Sequence, residues 1–482
     1  MTDHRTIFFL IGNLLAALSV GMLVPAAIDL FSGNDDWQIF VASAVVTGFI
    51  AGALVLTNRG ELPPLSVKQA FLLTSFSWVA LTGFAALPFA FSELNLSYTD
   101  AFFEAMSGLT TTGATIIIGL DDVSPGLLLW RALLQWFGGI GIIVMAISVL
   151  PMLNVGGMQL FRLESSDTSE KILPRTAQIA GSIMALYFAI SSACMLAYMA
   201  AGMGLFDAVA HAMTTIATGG FSTRDDSLAA FEKPSIEMVA IFFMMASSLP
   251  FAAYLQLTNR KFSAFWADSQ IRTFLIILVL ATLAMWLYQM AHLSTEGGTA
   301  FLRAAFNTTS ILTGTGYATS DYGQWGPFAV SVFFILTFIG GCAGSTACGL
   351  KIFRLQVMIK AGWRYIRQLT LPHGIFVIRY NGRILEDSVA NSVIAFVLIF
   401  LLSFGTLSAT LNLMGLDTLT ALSAAAAALA NVGPGLGPVI GPSGTYASLP
   451  DGAKWVLCIG MLLGRLEFLT VLVMLSPSFW RR

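Results

Sequence analysis

The sequence predicts an all-α polytopic membrane protein, because of its composition and the arrangement of its apolar residues. Apolar residues make up 56% of the 482 positions and charged residues only 10%, whereas a soluble domain carries about 25% charged residues. The apolar residues fall in long runs, as membrane-spanning helices require. Shorter apolar segments recur between these runs, which indicates a repeated architecture.

About ten segments are long enough to cross a bilayer, for which a helix needs roughly 20 mostly apolar residues. These segments are 7–28, 38–57, 69–91, 127–150, 177–200, 236–257, 272–292, 328–358, 389–412 and 453–477. The first of them is not followed by a small-residue cleavage site, so we expect a retained span rather than a signal peptide.

Four apolar segments are too short to cross, and each lies between two predicted spans. They are 100–112, 207–219, 303–315 and 417–432. Segments of this length in membrane proteins are typical of re-entrant or interfacial helices. We therefore expect an accessory pair of spans followed by four span–short helix–span repeats. The expected divisions are 1–60 for the pair, then 61–160, 161–262, 263–384 and 385–482 for the repeats.

The basic residues indicate the orientation. If the N-terminus is cytoplasmic, most of the 24 lysine and arginine residues lie on the cytoplasmic side, as the positive-inside rule requires. The four short segments then face outward. Many acidic residues lie on the outward loops, where they would raise the local cation concentration, although ordinary solvated loops have the same composition.

Several function classes are excluded by what the sequence lacks. The four cysteines and four histidines form neither a zinc pattern nor a disulfide framework, and no nucleophile–base set is apparent. A net charge of −2 gives no reason to expect nucleic acid as a partner. The sequence predicts neither an enzyme nor a resident cofactor.

The four short segments end in similar loops that align on their last glycine. Upstream, Glu104, His211 and Asn307 stand at one shared distance before that glycine in the first three segments. We name the aligned stretches loops 1 to 4. Loop 1 is Thr110, Thr111, Thr112 and Gly113; loop 2 is Ala217, Thr218, Gly219 and Gly220; loop 3 is Thr313, Gly314, Thr315 and Gly316; loop 4 is Ala430, Asn431, Val432 and Gly433.

Such loops can bind a cation through their main chain. An extended stretch after a short helix leaves carbonyl groups unpaired, which is tolerated at membrane depth where the backbone lines a watery cavity. These carbonyls can replace the hydration shell of an ion, and the negative C-terminal ends of the short helices favour a cation nearby. A single loop is equally consistent with a helix cap. Four in register predict four re-entrant pore helices around one pore, with pseudo-fourfold symmetry.

These motifs resemble the Trk/Ktr/HKT superfamily of potassium transporters, most closely the TrkH-type uptake subunits, over the whole chain. The resemblance implies potassium as the transported ion, bound by carbonyls of loops 1 to 4, and Gly113 matches the glycine that favours potassium over sodium. It also implies a homodimer in a bacterial inner membrane, surrounded by lipid. A cytosolic nucleotide-binding regulatory subunit resembling TrkA is implied as a partner. Each loop retains one aligned glycine instead of the TVGYG pattern of potassium channels, so we expect looser selectivity.

A glycine-rich run interrupts the span after loop 3. It contains the gate candidates Gly340, Gly341, Gly344, Ser345, Thr346 and Gly349. Glycine costs about 1 kcal/mol per residue against alanine in a helix, so we expect an unwound stretch beneath the loops that obstructs the pathway. Its counterpart gates the pore in the resembling family. The alternative is close helix packing through small residues.

Two of the arginines within the predicted spans need an explanation. Arg465 is a gate candidate, because a fixed positive charge below a cation filter lowers cation occupancy. Its alternatives are an ion pair with Glu467 or a side chain that reaches the cytoplasmic surface. Arg131 lies near the outer end of its span, and we expect it to be an interfacial anchor. The basic segment 351–383 is expected to be a cytoplasmic loop that contacts lipid or the partner subunit.

Two transport mechanisms are compatible with these residues. The leading hypothesis is a passive, channel-like potassium pathway. The alternative is a symporter that couples potassium to protons or sodium, which needs a titrating group in the pathway; the candidates are Glu104, His211 and a few aspartates.

Overall fold

The computed structural model describes residues 4–60, 65–148, 172–258, 262–293 and 296–481. This part of the chain is helical apart from loops and one two-stranded hairpin, which confirms the predicted all-α membrane fold class. The expected boundaries near 61 and 160, and the end of the predicted span 127–150, lie outside the described residues.

The helices follow one another in a repeated order. The accessory pair is α1 (Arg5–Ser32) and α2 (Trp37–Thr57). The first two repeats contain α3 (Val67–Ala85), α4 (Leu87–Phe91), α5 (Tyr98–Leu109), α6 (Pro125–Ser148), α7 (Ile172–Ala200), α8 (Leu205–Ile216), α9 (Pro234–Ser247) and α10 (Phe251–Thr258). The last two contain α11 (Phe262–Ala267), α12 (Ser269–His292), α13 (Gly297–Thr313), α14 (Pro327–Phe338), α15 (Ile352–Thr370), β1 (Arg379–Tyr380), β2 (Arg383–Ile384), α16 (Asp387–Leu413), α17 (Thr418–Ala430), α18 (Asp451–Arg465), α19 (Leu469–Leu475) and α20 (Pro477–Arg481). Short 3₁₀ turns lie at Leu120–Asp122, Ser227–Phe231 and Tyr322–Trp325.

Seven helices of the described residues are long and apolar enough to cross a membrane, rather than the ten expected. The other three predicted spans are each broken in two. Segment 236–257 divides into α9 and α10 at Pro250, which lacks the N–H that a continuous helix needs. Segment 328–358 divides into α14 and α15 around the glycine run. Segment 453–477 divides into α18 and α19, where Glu467 and Phe468 adopt positive φ angles of 59° and 35°.

The short helices α5, α8, α13 and α17 lie at the centre of the arrangement, and the half of each helix that leads into its loop is largely buried. In each repeat another helix follows the short helix, and it packs against the short helix of the next repeat. These pairs are α6 with α8, α9 with α13, α14 with α17, and α18 with α5. The last of these contacts joins the fourth repeat to the first. The four repeats therefore form a closed ring.

The accessory pair packs against α6 and α3 of the first repeat. Its main polar anchor is Asp29, whose buried carboxylate accepts a hydrogen bond of 2.6 Å from the backbone N–H of Gly126. Asp36 accepts a second bond, of 2.9 Å, from the hydroxyl of Ser124. Both carboxylates lie at the N-terminus of α6, where the helix dipole favours negative charge.

Candidate functional site

The four loops meet one another in cyclic order at the centre of the ring. A methyl group added to Gly113 of loop 1 would overlap the carbonyl of Gly219 in loop 2, and one added to Gly220 would overlap the carbonyl of Thr315 in loop 3. One added to Gly316 would lie 2.8 Å from Pro434, directly after loop 4. The ring closes because a methyl group on Gly433 would lie 2.7 Å from the Gly113 carbonyl oxygen.

The same cap ends all four short helices. A residue with positive φ stands two places before each aligned glycine, and the next N–H reaches back to a carbonyl of the last helical turn. These residues are Thr111 (51°), Thr218 (50°), Gly314 (77°) and Asn431 (51°). The returning bonds, all 2.9 Å long, run from Thr112 to Ser107, Gly219 to Thr214, Thr315 to Ser310 and Val432 to Ala427. This pattern is the Schellman motif, and it turns the backbone out of the helix at the same point in each repeat.

After this cap the loop carbonyls have few partners. Within the described ranges, no donor reaches the carbonyl oxygens of Thr111, Thr112, Gly113, Thr218, Gly220, Gly314, Thr315, Gly316, Asn431 and Val432. More than 90% of buried backbone carbonyls in proteins are paired. A concentration of unpaired carbonyls where four loops meet is therefore what a site for water or a dehydrated cation requires.

Loop 4 departs from the other three at its last residue. Gly113, Gly220 and Gly316 have φ angles of 83°, 78° and 84°, whereas Gly433 has no positive φ. Proline follows Gly433 and restricts the residue before it to extended conformations, which explains the difference. The carbonyl of Gly433 also accepts a hydrogen bond of 3.1 Å from the Tyr446 hydroxyl.

A polar side chain on each short helix fastens the chain that follows the loop. Glu104 accepts bonds from the backbone N–H of Ile116 at 3.0 Å and from the hydroxyl of Thr115. Its carboxylate is paired at 2.8 Å with Arg131, which is 1% exposed and also donates to the carbonyl of Ser222. The prediction that Arg131 is an interfacial anchor is therefore wrong, since α6 turns this side chain inward to bind the chain that follows loops 1 and 2.

The equivalent positions in the other repeats use different chemistry. His211 contacts the hydroxyl of Ser222 at 3.0 Å, and Asn307 donates to the hydroxyl of Thr319 at 3.2 Å. In the fourth repeat the aligned residue is Ala424, and the preceding residue, Ser423, donates to the carbonyl of Leu436 at 3.2 Å. These groups are buried within hydrogen-bonded networks, so they position the loops.

Two buried amides near the loops were not selected from the sequence as side-chain contacts. Asn431 donates to the hydroxyl of Thr112 at 3.0 Å and to the carbonyl of Met461 at 2.9 Å, so it ties loop 4 to loop 1 and to α18. Gln135, on α6, bonds loop 2. A polar residue inside an apolar span was the available signal for Gln135.

The glycine-rich run does form the expected non-helical segment, between α14 and α15. The two ends of the segment are joined by a hydrogen bond of 2.9 Å from Gly340 N–H to the Leu350 carbonyl. The segment is also bonded to the chain beside the break in the second repeat. Cys342 donates its N–H to Ser248, and Gly344 accepts from Phe251, both at 2.9 Å. Of the other gate candidates, Gly341, Ser345 and Thr346 are buried and Gly349 partly so.

Arg465 reaches this segment from the fourth repeat. Its guanidinium donates to the carbonyl of Thr346 at 3.4 Å, to the sulfur of Cys348, and to the carbonyl of Gly138 in α6 at 3.0 Å. Arg465 is 2% exposed, so it does not reach the cytoplasmic surface. The alternative of a pair with Glu467 also fails, because Glu467 pairs with Arg354.

Some acidic residues of the outer loops are bound by other residues of this chain. Arg224 pairs with Asp121 at 3.0 Å and with Asp207 at 3.4 Å. The hydrogen bond to Asp121 raises the pKa of Arg224 above its usual range. Asp225 accepts bonds from the N–H groups of Gly119 and Leu120. These contacts join the first two repeats on the side that the sequence predicts to face outward.

The basic segment 351–383 is mostly helix rather than the expected loop. It begins with α15, which has buried residues on one face and exposed aromatic residues such as Trp363 and Tyr365 on the other. The β1–β2 hairpin follows. An amphipathic pattern was present in this segment, but its high charge favoured a loop interpretation.

Comparison with known proteins identifies the family. The family model described as "TrkH: Cation transport protein" matches residues 37–482. The chain belongs to the TrkH family. It is 45% identical to the Trk system potassium uptake protein TrkI of Halomonas elongata, over 96% of this chain and 94% of that protein. It is 39% identical to TrkH of Vibrio parahaemolyticus, over 99% and 100% of the two chains.

The fold of the TrkH family extends over the full length. The crystal structure of the potassium transporter TrkH from Vibrio parahaemolyticus superposes with a TM-score of 0.93, at 37% identity, and covers 100% of both chains. Membership of a family of cation transport proteins confirms the predictions of a multi-pass membrane protein and of a protein that is not an enzyme.

Proposed function

We propose that this TrkH-family protein takes up potassium through a channel-like pore in which loops 1 to 4 form the selectivity filter. The observation that carries the proposal is the set of unpaired carbonyls at the meeting point of four similarly capped loops. The printed names of the relatives, which are potassium uptake proteins, support potassium as the ion.

The aligned glycines support selection among cations. Gly113, Gly220 and Gly316 have positive φ angles, which cost other residues roughly 1–2 kcal/mol. A side chain at Gly113 or Gly220 would also overlap the neighbouring loop. Replacement of either glycine would therefore displace the carbonyls that surround the ion.

The gate in this proposal is the glycine-rich segment 340–349 together with Arg465. The guanidinium is buried against this segment and α6. A fixed positive charge there opposes a cation that has passed the filter. Opening would require the segment to release Thr346 and Cys348 from Arg465.

A passive pathway is favoured over symport by the state of the titratable groups. Glu104 is committed to a buried pair with Arg131, and both ring nitrogens of His211 have partners. A carrier that exchanges protons with the pathway needs an acid or base that is free to change its charge. Neither residue meets that condition in this conformation.

The cellular setting follows from the charge distribution and the family. We propose that the protein lies in a bacterial inner membrane with its N-terminus in the cytoplasm, and that it assembles as a homodimer. We also propose that its structural units are residues 1–60, 61–160, 161–262, 263–384 and 385–482. The relatives are named as parts of a Trk system, which supports a cytosolic nucleotide-binding partner of the TrkA type. The exposed basic helix α15 is the surface we assign to that partner.

Rubidium uptake into protein-containing liposomes tests the proposal. We expect uptake down a rubidium gradient with no imposed pH gradient, and an unchanged rate when one is applied. We also expect Gly113→Ser to lower discrimination against sodium by about tenfold, the equivalent of 1.4 kcal/mol.

Gly33→Ser is a suitable control for that variant, because Gly33 also has a positive φ, of 73°, but has open space around it at the end of α1. It should leave the ion ratio unchanged. Uptake that stops without a proton gradient would overturn the channel proposal in favour of symport. An unaltered ion ratio in Gly113→Ser would overturn the assignment of the filter.

A further inference from the structure

We propose that Gln135 is a specificity-determining residue of this pathway, acting as a positioning residue for loop 2. Its amide bonds the chain on both sides of Gly220, and so fixes the direction of the Gly220 carbonyl, one of the unpaired oxygens of the loops. The inference rests on the proposed function, because it assumes that loops 1 to 4 form the filter.

The contacts of Gln135 are paired and fully buried. The side chain projects from α6, has 0% exposure, and donates from Nε2 to the Gly219 carbonyl at 2.7 Å. Its Oε1 accepts from the N–H of Phe221 at 3.1 Å. The amide therefore holds the chain on both sides of Gly220. A buried amide that forms both bonds permits one orientation of this chain segment, since a buried group left without a partner is destabilising.

The position of Gln135 also explains why residue 219 is a glycine. Gly219 does not have a positive φ, so its backbone conformation is open to other residues. A methyl group there would overlap the Gln135 amide, however. Gln135 Nε2 also lies 3.7 Å from the point where a Cβ of Gly113 would stand. The amide thus occupies the seam between loops 1 and 2.

This contact makes loop 2 different from its three neighbours. The residues aligned with Gly219 are Thr112, Thr315 and Val432, whose carbonyls receive no donor from the described residues. In the fourth repeat, Gly464 faces the carbonyl of Leu429 just as Gly138 faces that of Leu109. This equivalence places Met461 where the first repeat has Gln135, and a thioether has no proton to donate.

The two bonds of Gln135 restrict the movement of the Gly220 carbonyl. Carbonyls held at the distance that suits potassium cannot close around the smaller sodium ion. Removing the donor should let loop 2 move and its carbonyls approach sodium. We expect Gln135→Leu to lower the rubidium-to-sodium flux ratio about fivefold, the effect of roughly 1 kcal/mol.

The experiment compares Gln135→Leu and Gln135→Glu with Gln289→Leu in the full-length protein in liposomes. Gln289 is an equally buried amide, 1% exposed on α12, that donates to the Ala300 carbonyl at the far end of α13. The flux ratio and the unfolding midpoint are measured for each. Gln289→Leu should keep the parent ratio.

The pH dependence of the flux ratio in Gln135→Glu distinguishes a role in ion selection from a purely structural role. A carboxylate cannot donate to the Gly219 carbonyl, but a protonated acid can. The charged and titratable groups bonded to α6 or to the chain beside loops 1 and 2 are Arg131 with Glu104, His211 through Ser222, and Arg465 through Gly138. We expect the flux ratio of this variant to recover as the pH is lowered, whereas the parent ratio stays constant.

A parent-like ratio at every pH in both folded variants would overturn the inference. If Gln135→Leu fails to fold, Gln135→Glu decides alone, because it keeps the acceptor for Phe221. Gly113→Ser is measured in parallel. A changed ratio in Gly113→Ser with no change in the Gln135 variants rejects only the role of Gln135, whereas no change in any of them rejects the filter as well.

Discussion

The four loops resemble one another, whereas the four helices that follow the short helices differ from one another. The four loops share one cap, one bond length of 2.9 Å and one position of positive φ. Beneath them the four helices that follow the short helices differ: α6 is continuous over its described length, and the other three are broken at different points. A site that surrounds an ion needs similar ligands from every side. A gate needs one element that differs from the rest.

The breaks beneath the ring are connected to one another. The glycine segment of the third repeat is bonded to the chain on both sides of the break at Pro250, and to Arg465 just before the break after α18. The glycine segment bonds backbone groups at the break in the second repeat, and its own Thr346 carbonyl accepts a bond from Arg465. The broken parts of the second, third and fourth repeats are therefore bonded into one structure. Weakening any of these bonds should change the opening of the proposed gate more than ion selection by the loops.

The largest effect should come from breaking the buried pair behind the loops. Arg131→Leu leaves Glu104 charged and unpaired, and removing one partner of a buried pair costs about 3–5 kcal/mol. We expect a large fall in the unfolding midpoint of the detergent-solubilised protein. Arg224→Leu is the control, because this exposed pair contributes about 0–1 kcal/mol. Equal midpoints in the two variants would contradict the buried role assigned to Arg131.

The second effect separates the gate from the ring. Arg465→Ala removes a positive charge beneath the loops, and a charge a few ångströms away is worth about 2–4 kcal/mol at an effective dielectric near 20. We expect basal rubidium flux without a partner to rise at least tenfold, with an unchanged ion ratio. Arg272→Ala, on the exposed end of α12, serves as the matched control. A basal flux at or below that of the parent would exclude Arg465 as a barrier.

The smallest effect concerns a single helix of the ring. Asp417 caps α17 by accepting from the N–H of Thr420 at 3.1 Å, and bonds from Thr420 lower the pKa of Asp417 below its usual 3.8. The charge on the cap therefore stabilises the helix above pH about 4, and this contribution is lost as the pH falls through the lowered pKa. Asp417→Ala should cost about 1 kcal/mol at neutral pH and less at low pH, where the protonated side chain still accepts a bond but carries no charge. A cost that does not depend on pH would contradict this role.

The sequence was informative where the repeat was strict. The alignment of loops 1 to 4 on their glycines located the four stretches that meet, because a shared backbone geometry constrains residue types. The cap itself was less visible, since its positive-φ residue is threonine at 111 and 218 and asparagine at 431. Only Gly314 carries the glycine that usually marks this motif.

The sequence was misleading where contacts between distant residues determine the structure. Hydropathy cannot distinguish a continuous span from two half-length helices, so the break after α18, at Glu467 and Phe468, was missed. Arg131 was placed at an interface because its partner Glu104 lies on a different helix. Gln135 bonds backbone groups of the second repeat, and Asn431 bonds a hydroxyl of the first repeat and a distant carbonyl of its own. Such contacts leave no mark in local residue patterns.

Rubidium anomalous diffraction from crystals of the protein would test the central claim most directly. The account predicts a peak enclosed by loops 1 to 4, within coordination distance of main-chain oxygens from all four. Rubidium bound elsewhere in the crystal, with no peak among these loops, would contradict it.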